Sequence, residues 1–199
     1  MKLVAMMAIS ALMGTAATPK QGGERVTVYI SYDAPVNMIL MATAQGLATQ
    51  MFAGIGVDVE WHGGIPPAGK KGAIAIELVT HTKVSLHPDA LAYTRPYEGI
   101  HIQILWNRVK MTPCPSKLLA HVMVHEITHI LEGIDRHSEE GIMKGRWNEA
   151  DFEAMGFKPL PFAPEDVMII HAGLKARNSG VMAPATQGEM MAAIPTRGN

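Results

Sequence analysis

The sequence predicts an α+β fold: a twisted mixed β-sheet backed by two long helices, then a smaller, loop-rich C-terminal part, with a cleft between them. Three observations lead there. Short β-branched runs recur through the first half of the chain, two long stretches carry apolar residues at helical spacing, and glycine and proline break up the segment that follows the second helix.

Residues 25 to 33 (RVTVYISYD) alternate between apolar and polar and are β-branched, which predicts a strand. Pro35 suits the first turn of a helix, and the run from Val36 to Phe52 keeps helical spacing until Gly54 and Gly56 stop it. Val57 to Trp61 reads as a second strand and is followed by the turn-rich GGIPPAGKKG. Ala73 to Val79 is a third strand, Leu91 to Thr94 a brief extended piece, and Ile100 to Trp106 a further alternating strand. Thr112 or Ser116 is expected to cap the second long helix, which runs to Gly133. Asn148 to Met155 forms a short helix, and Pro164-Glu165-Asp166 opens a last one that ends near Arg177.

With 199 residues, one catalytic-size domain is expected over 18–178, large enough to bury a core without disulfides. The single cysteine, Cys114, excludes an intramolecular disulfide framework. Formal net charge is -1, so no nucleic-acid partner is expected. The first 17 residues, MKLVAMMAISALMGTAA, combine Lys2, an apolar run and small residues at a cleavage position. They read as a signal peptide, too short to span a bilayer, and imply a secreted or periplasmic protein. From 179 to 199 the chain is aperiodic and rich in glycine, proline, alanine and methionine, which predicts a disordered tail. No segment is long and apolar enough to cross a membrane, and a monomer is expected.

The chemistry concentrates in 125–147, HEITHILEGIDRHSEEGIMKGRW. His125 and His129 lie one helical turn apart, so their imidazoles leave the same face about 6 Å apart along the axis. That spacing suits Zn²⁺, and Glu126, rotated off the pair, can act on a water as general base. Helix geometry supplies two ligands only. Gly133 must end the helix and let the chain swing back, which brings His137 forward as third ligand and leaves a position open for water. Asp135 and Glu149 are rivals for that role.

Other residues have plainer readings. His121, one turn before His125, reads as a neighbour of the site, because a fourth protein ligand would close the open position. Cys114 is a weak candidate for a latency thiolate. Tyr93, Tyr97 and His101 are all candidates for stabilising an oxyanion. His62, His81, His87 and His171 lack ligand spacing, Trp61, Trp106 and Trp147 read as core, and Glu139-Glu140 as a solvated turn.

The stretch from His125 to Met143 resembles the zinc-binding region of metzincin metallopeptidases, H-E-x-x-H-x-x-G-x-x-H followed by a Met-turn. Here the glycine falls one place late at Gly133 and the histidine two places late at His137. His137-Ser138 with Gly141-Ile142-Met143 is similar to the ending found in matrixin-type members. The longer H-E-x-x-H-x-x-x-G-x-x-x-H-S-x-x-G-[IV]-M-[KR]-x-x-W spacing is similar to that of a group of bacterial secreted metallopeptidases, as is Phe52 to Trp61 upstream. The resemblance covers roughly residues 36 to 177.

It implies a zincin-like fold and a zinc-dependent endopeptidase acting on protein or peptide substrates. His125, His129 and His137 would be the zinc ligands, Glu126 the general base, and Met143 an apolar floor beneath the metal. It also implies that the edge strand near Leu91 to Thr94 holds an extended substrate by strand addition. The residues leave two alternatives: a gluzincin-like peptidase using Glu149 as third ligand, or a non-catalytic, zinc-stabilised binding module.

Overall fold

A computed structural model describes residues 24–82, 90–95 and 100–179. The signal peptide read at 1–17, the tail beyond Ser179, Tyr97 and His87 all lie outside the described residues.

Five strands form one mixed sheet in the order β2-β1-β3-β5-β4. β1 (Glu24–Tyr32) lies between β2 (Val57–Gly63) and β3 (Ile74–Val79), parallel to both; β3 pairs in parallel with β5 (His101–Leu105). β4 (Ala92–Arg95) runs antiparallel along β5 and forms one edge. The strand alternation decides which face is covered. Val26, Val28, Ile30, Ile74, Ile76, Leu78, Ile102 and Ile104 are buried on one side, while Arg25, Thr27, Tyr29 and Ser31 turn to the other. Parallel sheets are ordinarily covered on both faces; among the described residues, only one face of this sheet carries helices.

Two helices cover the apolar face. α1 (Met38–Ala53) begins later than Pro35 suggests, because the Asn37 side chain accepts from the Ile39 and Leu40 backbone amides and so sets the start. After β5, the single turn α2 (Trp106–Val109) leads into α3 (Pro115–Glu132). Neither Thr112 nor Ser116 caps α3. Cys114 holds the N-cap position without a side-chain bond, and Pro115 at the first helical position presets the backbone instead. α3 touches α1, α5, β4 and β5, so every residue from Leu118 to Glu132 is buried. It is therefore the central element of the core, and polar residues on it lie where water does not reach.

The C-terminal part holds α4 (Glu149–Phe157) and α5 (Pro164–Asn178) joined by loops. α4 starts with a reciprocal cap, in which Asn148 accepts from the Asp151 amide while Asp151 accepts from the Asn148 amide. α5 packs back on α3. No helix among the described residues is long and apolar enough to cross a membrane.

Candidate metal centre

Gly133 ends α3 in the left-handed conformation (φ 67°), and its amide bonds back to the His129 carbonyl at 3.0 Å. A left-handed terminal residue turns the chain sharply, and glycine adopts it without a Cβ penalty. The following residues fold into a tight loop: the Ser138 amide donates to the Met143 carbonyl (2.8 Å) and Ser138 bridges Lys144. Gly141, at φ 77°, makes the reversal, and the Ile142 amide is tied to the Pro161 carbonyl at 2.8 Å. This loop returns His137 to the face of α3 that carries His125 and His129.

The three histidines form the single group of metal-ligating side chains found among the described residues, with donor atoms all within 4.8 Å of one another. Ring centroids of His125 and His129 are 4.6 Å apart, those of His129 and His137 5.0 Å, and those of His125 and His137 5.4 Å. Asp135 and Glu149 are not in the group. Both are exposed, Glu149 on the first turn of α4. The structure thus brings His137, and neither rival, to the α3 pair.

The donor set fits a divalent cation on two independent grounds. The Nδ1 of His125 lies 2.8 Å from the Ile142 carbonyl, which can only accept, so Nδ1 carries the proton and Nε2 presents a lone pair. That Nε2 faces the Nε2 of His129 at 3.0 Å. Burial also pulls the His125 pKa down to about 4, that of His129 well below its usual range, and that of His137 down. All three are thereby kept neutral, the form that binds metal. Three imidazoles with an open position are a donor set suited to Zn²⁺.

Glu126 is fully buried beside His125. One carboxylate oxygen, Oε2, accepts a hydrogen bond from the Thr94 hydroxyl of β4; the other, Oε1, is buried without a partner. Burial pushes its pKa up to about 7, against the smaller opposing effect of the Thr94 bond.

The remaining neighbours differ in part from the sequence reading. His121 is buried with both nitrogens engaged: Nδ1 lies 2.7 Å from the Lys117 carbonyl, and Nε2 accepts from the Leu160 amide at 3.1 Å. It is a strut between α3 and the segment before α5, not a ligand. Trp147 is core, as its type suggests, yet it also walls the site, standing edge-on to His125 (5.6 Å, 83°) and His121 (6.1 Å, 84°). Met143 is fully buried in the same loop as His137, its carbonyl accepting from the Ser138 amide. Tyr93 and His101 line a cavity of about 700 Å³ on the open face of the sheet, away from the helix face to which Thr94 turns. The structure does not bring them to Glu126. Cys114 is exposed and unbridged, and Glu139 and Glu140 stand in solvent. His62 stacks on Tyr29 and sets its Nε2 3.2 Å from Glu60, and His171 bonds Glu24 and the Ile55 carbonyl, so both are satisfied polar residues.

Sequence reasoning missed three contributors: Thr94, which bonds Glu126; Arg136, which bonds Ser138, Glu165 and Asp166; and Gly145, whose missing Cβ leaves room for the His137 side chain. Only Gly145 left a local trace, as a glycine inside the motif's own span.

No family model and no curated protein matches this chain. Among solved structures, the chain is similar in fold to archaemetzincin from Methanopyrus kandleri, with a TM-score of 0.52 at 14% identity over 77% of this chain and 97% of that one.

Proposed function

We propose that the protein is a zinc-dependent endopeptidase of metzincin type, with His125, His129 and His137 as ligands and Glu126 as general base. One observation carries this reading: a buried carboxylate with one oxygen pinned and the other unpartnered stands beside three neutral imidazoles converging within 4.8 Å. Buried polar atoms are nearly always satisfied, so an orphaned oxygen at such a place points to a reacting partner absent from the resting chain.

A bound Zn²⁺ supplies Lewis-acid polarisation of the scissile carbonyl and acidifies a water toward neutral pH. The remaining work falls to this chain. Glu126 takes a proton from the attacking water at Oε1 and returns it to the leaving amine, while Thr94 holds Oε2 still. His125 keeps its lone pair aimed inward because Nδ1 is committed to the Ile142 carbonyl. Trp147, edge-on to His125, excludes water from one side, and the buried Met143 supplies apolar packing to the loop that carries His137. The protonated state favoured by burial belongs to the metal-free pocket; a divalent cation alongside favours the carboxylate. β4 offers an edge against which an extended peptide could add as a further strand, bringing its backbone past Thr94 and Glu126. The archaemetzincin-like fold, the His137-Ser138 and Gly141-Ile142-Met143 ending, and this edge together support a peptide substrate.

The test is zinc content together with cleavage of a mixed peptide library by the wild type and by Glu126→Ala. The expected result is one zinc per chain in both, with cleavage reduced roughly 10²–10⁴-fold in the variant. Equal cleavage by both proteins, or zinc binding without cleavage by the wild type, overturns the peptidase reading; the second outcome leaves a zinc-stabilised binding module.

A further inference from the structure

His137 differs from its two fellow ligands in how it is held. His125 and His129 are on one buried helix, whereas His137 is exposed on a loop, eight residues from His129, and among the described residues no hydrogen bond of its own ring orients it. Something else must hold that loop in place. The side chains on either side of His137 both turn to the N-terminus of α5. The Arg136 guanidinium donates to Asp166 Oδ1 at 2.7 Å, to Glu165 at 3.0 Å and to the Ser138 hydroxyl at 3.2 Å. The Ser138 hydroxyl donates to the same oxygen of Asp166, and Arg136 also lies 3.5 Å from the buried Glu132 at the end of α3. Asp166 is fully buried, and its second oxygen accepts from the Ala163 amide at 3.0 Å, so it cannot swing to follow a moving partner. A planar guanidinium with several donors fixes direction as well as distance.

We propose that Arg136 and Ser138, anchored on Asp166, are positioning residues for the third ligand, so that metal affinity is set through the docking of α5 on α3. This rests on the reading of His137 as a ligand. Groups that orient a metal ligand without touching the metal typically account for 10–100-fold in affinity, and here the orienting force acts on the backbone either side of the imidazole.

The experiment measures zinc affinity of the full chain by competition with a chromophoric chelator, and the visible spectrum of the Co²⁺-loaded protein. Variants are Arg136→Met, Ser138→Ala, His137→Ala and Arg177→Met. Arg177 reaches the Ile130 and Gly72 carbonyls from the far end of α5, so its loss removes contacts at that end alone and leaves the docked first turn, with Asp166, and the His137 loop in place. Arg136→Met is expected to weaken zinc binding about 10–100-fold and Ser138→Ala about 3–10-fold. Both should shift the Co²⁺ bands toward those of His137→Ala, while Arg177→Met stays within about threefold of wild type. Wild-type affinity in both clamp variants overturns the inference. So does an equal loss in Arg177→Met, which makes the effect one of general stability. Should Arg136→Met not fold, Ser138→Ala decides by the same criterion. If His137→Ala itself binds zinc as wild type does, the ligand reading fails and the inference falls with it.

Discussion

The hydroxyl of Thr94, on the edge strand β4, donates to the carboxylate of Glu126 on α3, joining groups 32 residues apart in a place where neither is solvated. Hydrogen bonds to charged groups contribute about 1.5–3 kcal/mol, and a buried acceptor without its donor bears the full desolvation cost. Thr94→Val keeps the volume and removes the donor. It should lower kcat/KM about 10–100-fold with one zinc still bound per chain, and Thr94→Ser should recover most of the loss. Peptide hydrolysis by Thr94→Val within threefold of wild type would show that this bond does not position Glu126 for the proposed reaction.

Acid should destabilise the metal-free protein through its buried histidines. Burial pulls the pKa values of His121 and His125 down to about 4, below an ordinary 6.5. Between those values the unfolded chain binds protons that the folded chain refuses. Their contribution is therefore fully present above pH 6.5 and lost as pH falls toward 4. Glu126 and Glu132, both pushed up to about 7 by burial, act with the opposite sign, weakening the fold as pH rises from 4.5 to 7. A difference measurement isolates one group. The stability advantage of wild type over His121→Asn, from urea unfolding, should shrink by about 1.4 kcal/mol per pH unit between 6.5 and 4. Parallel curves for the two proteins would remove His121 from the account.

The legible and illegible parts of this site divide along sequence distance. His125, Glu126 and His129 are set by one helical period, and Gly133 announces the left-handed turn that makes His137 reachable. The strands were legible because one apolar face forces alternation, as in RVTVYISYD. The Thr94–Glu126, His121–Leu160 and Arg136–Asp166 bonds span 30 to 39 residues. No periodicity encodes them, since each depends on where β4 or the C-terminal part docks. The start of α3 shows a local rule yielding to another: polar Thr112 and Ser116 are good caps, but Pro115 fixes the backbone first.

Gly145 should be a metal-affinity residue despite carrying no donor. A Cβ there would lie 2.9 Å from Cγ and 3.0 Å from Nδ1 of His137, closer than carbon and imidazole atoms approach. Because His137 is exposed, the ring can move aside, so the fold loses little while the imidazole turns away from His125 and His129. Gly145→Ala should weaken zinc binding about tenfold or more by chelator competition, with the melting temperature of the metal-free protein nearly unchanged. Unchanged affinity would mean that the loop accommodates the methyl without turning the ring.

Gly173 presents the opposite case, a methyl that has nowhere to go. Asp166, Ile170, Gly173, Leu174 and Arg177 share the face of α5 that meets α3, and Ile170 and Leu174 are buried there. A Cβ on Gly173 would fall 1.8 Å from the Leu131 carbonyl oxygen and 2.9 Å from its carbon. Those atoms are backbone in the last turn of the central helix, two residues from His129 and two before Gly133, and cannot rotate away. α5 must therefore lift off α3. Overpacking at well-packed contacts costs about 1–3 kcal/mol, and a backbone clash this close belongs at the upper end. Gly173→Ala should lower the melting temperature on the order of 5–10 °C by calorimetry. Because the displaced helix also carries Asp166, zinc affinity should fall with it, whereas Arg177→Met leaves that affinity near wild type. A Gly173→Ala protein that melts and binds zinc like wild type would show that the two helices are not in such close contact.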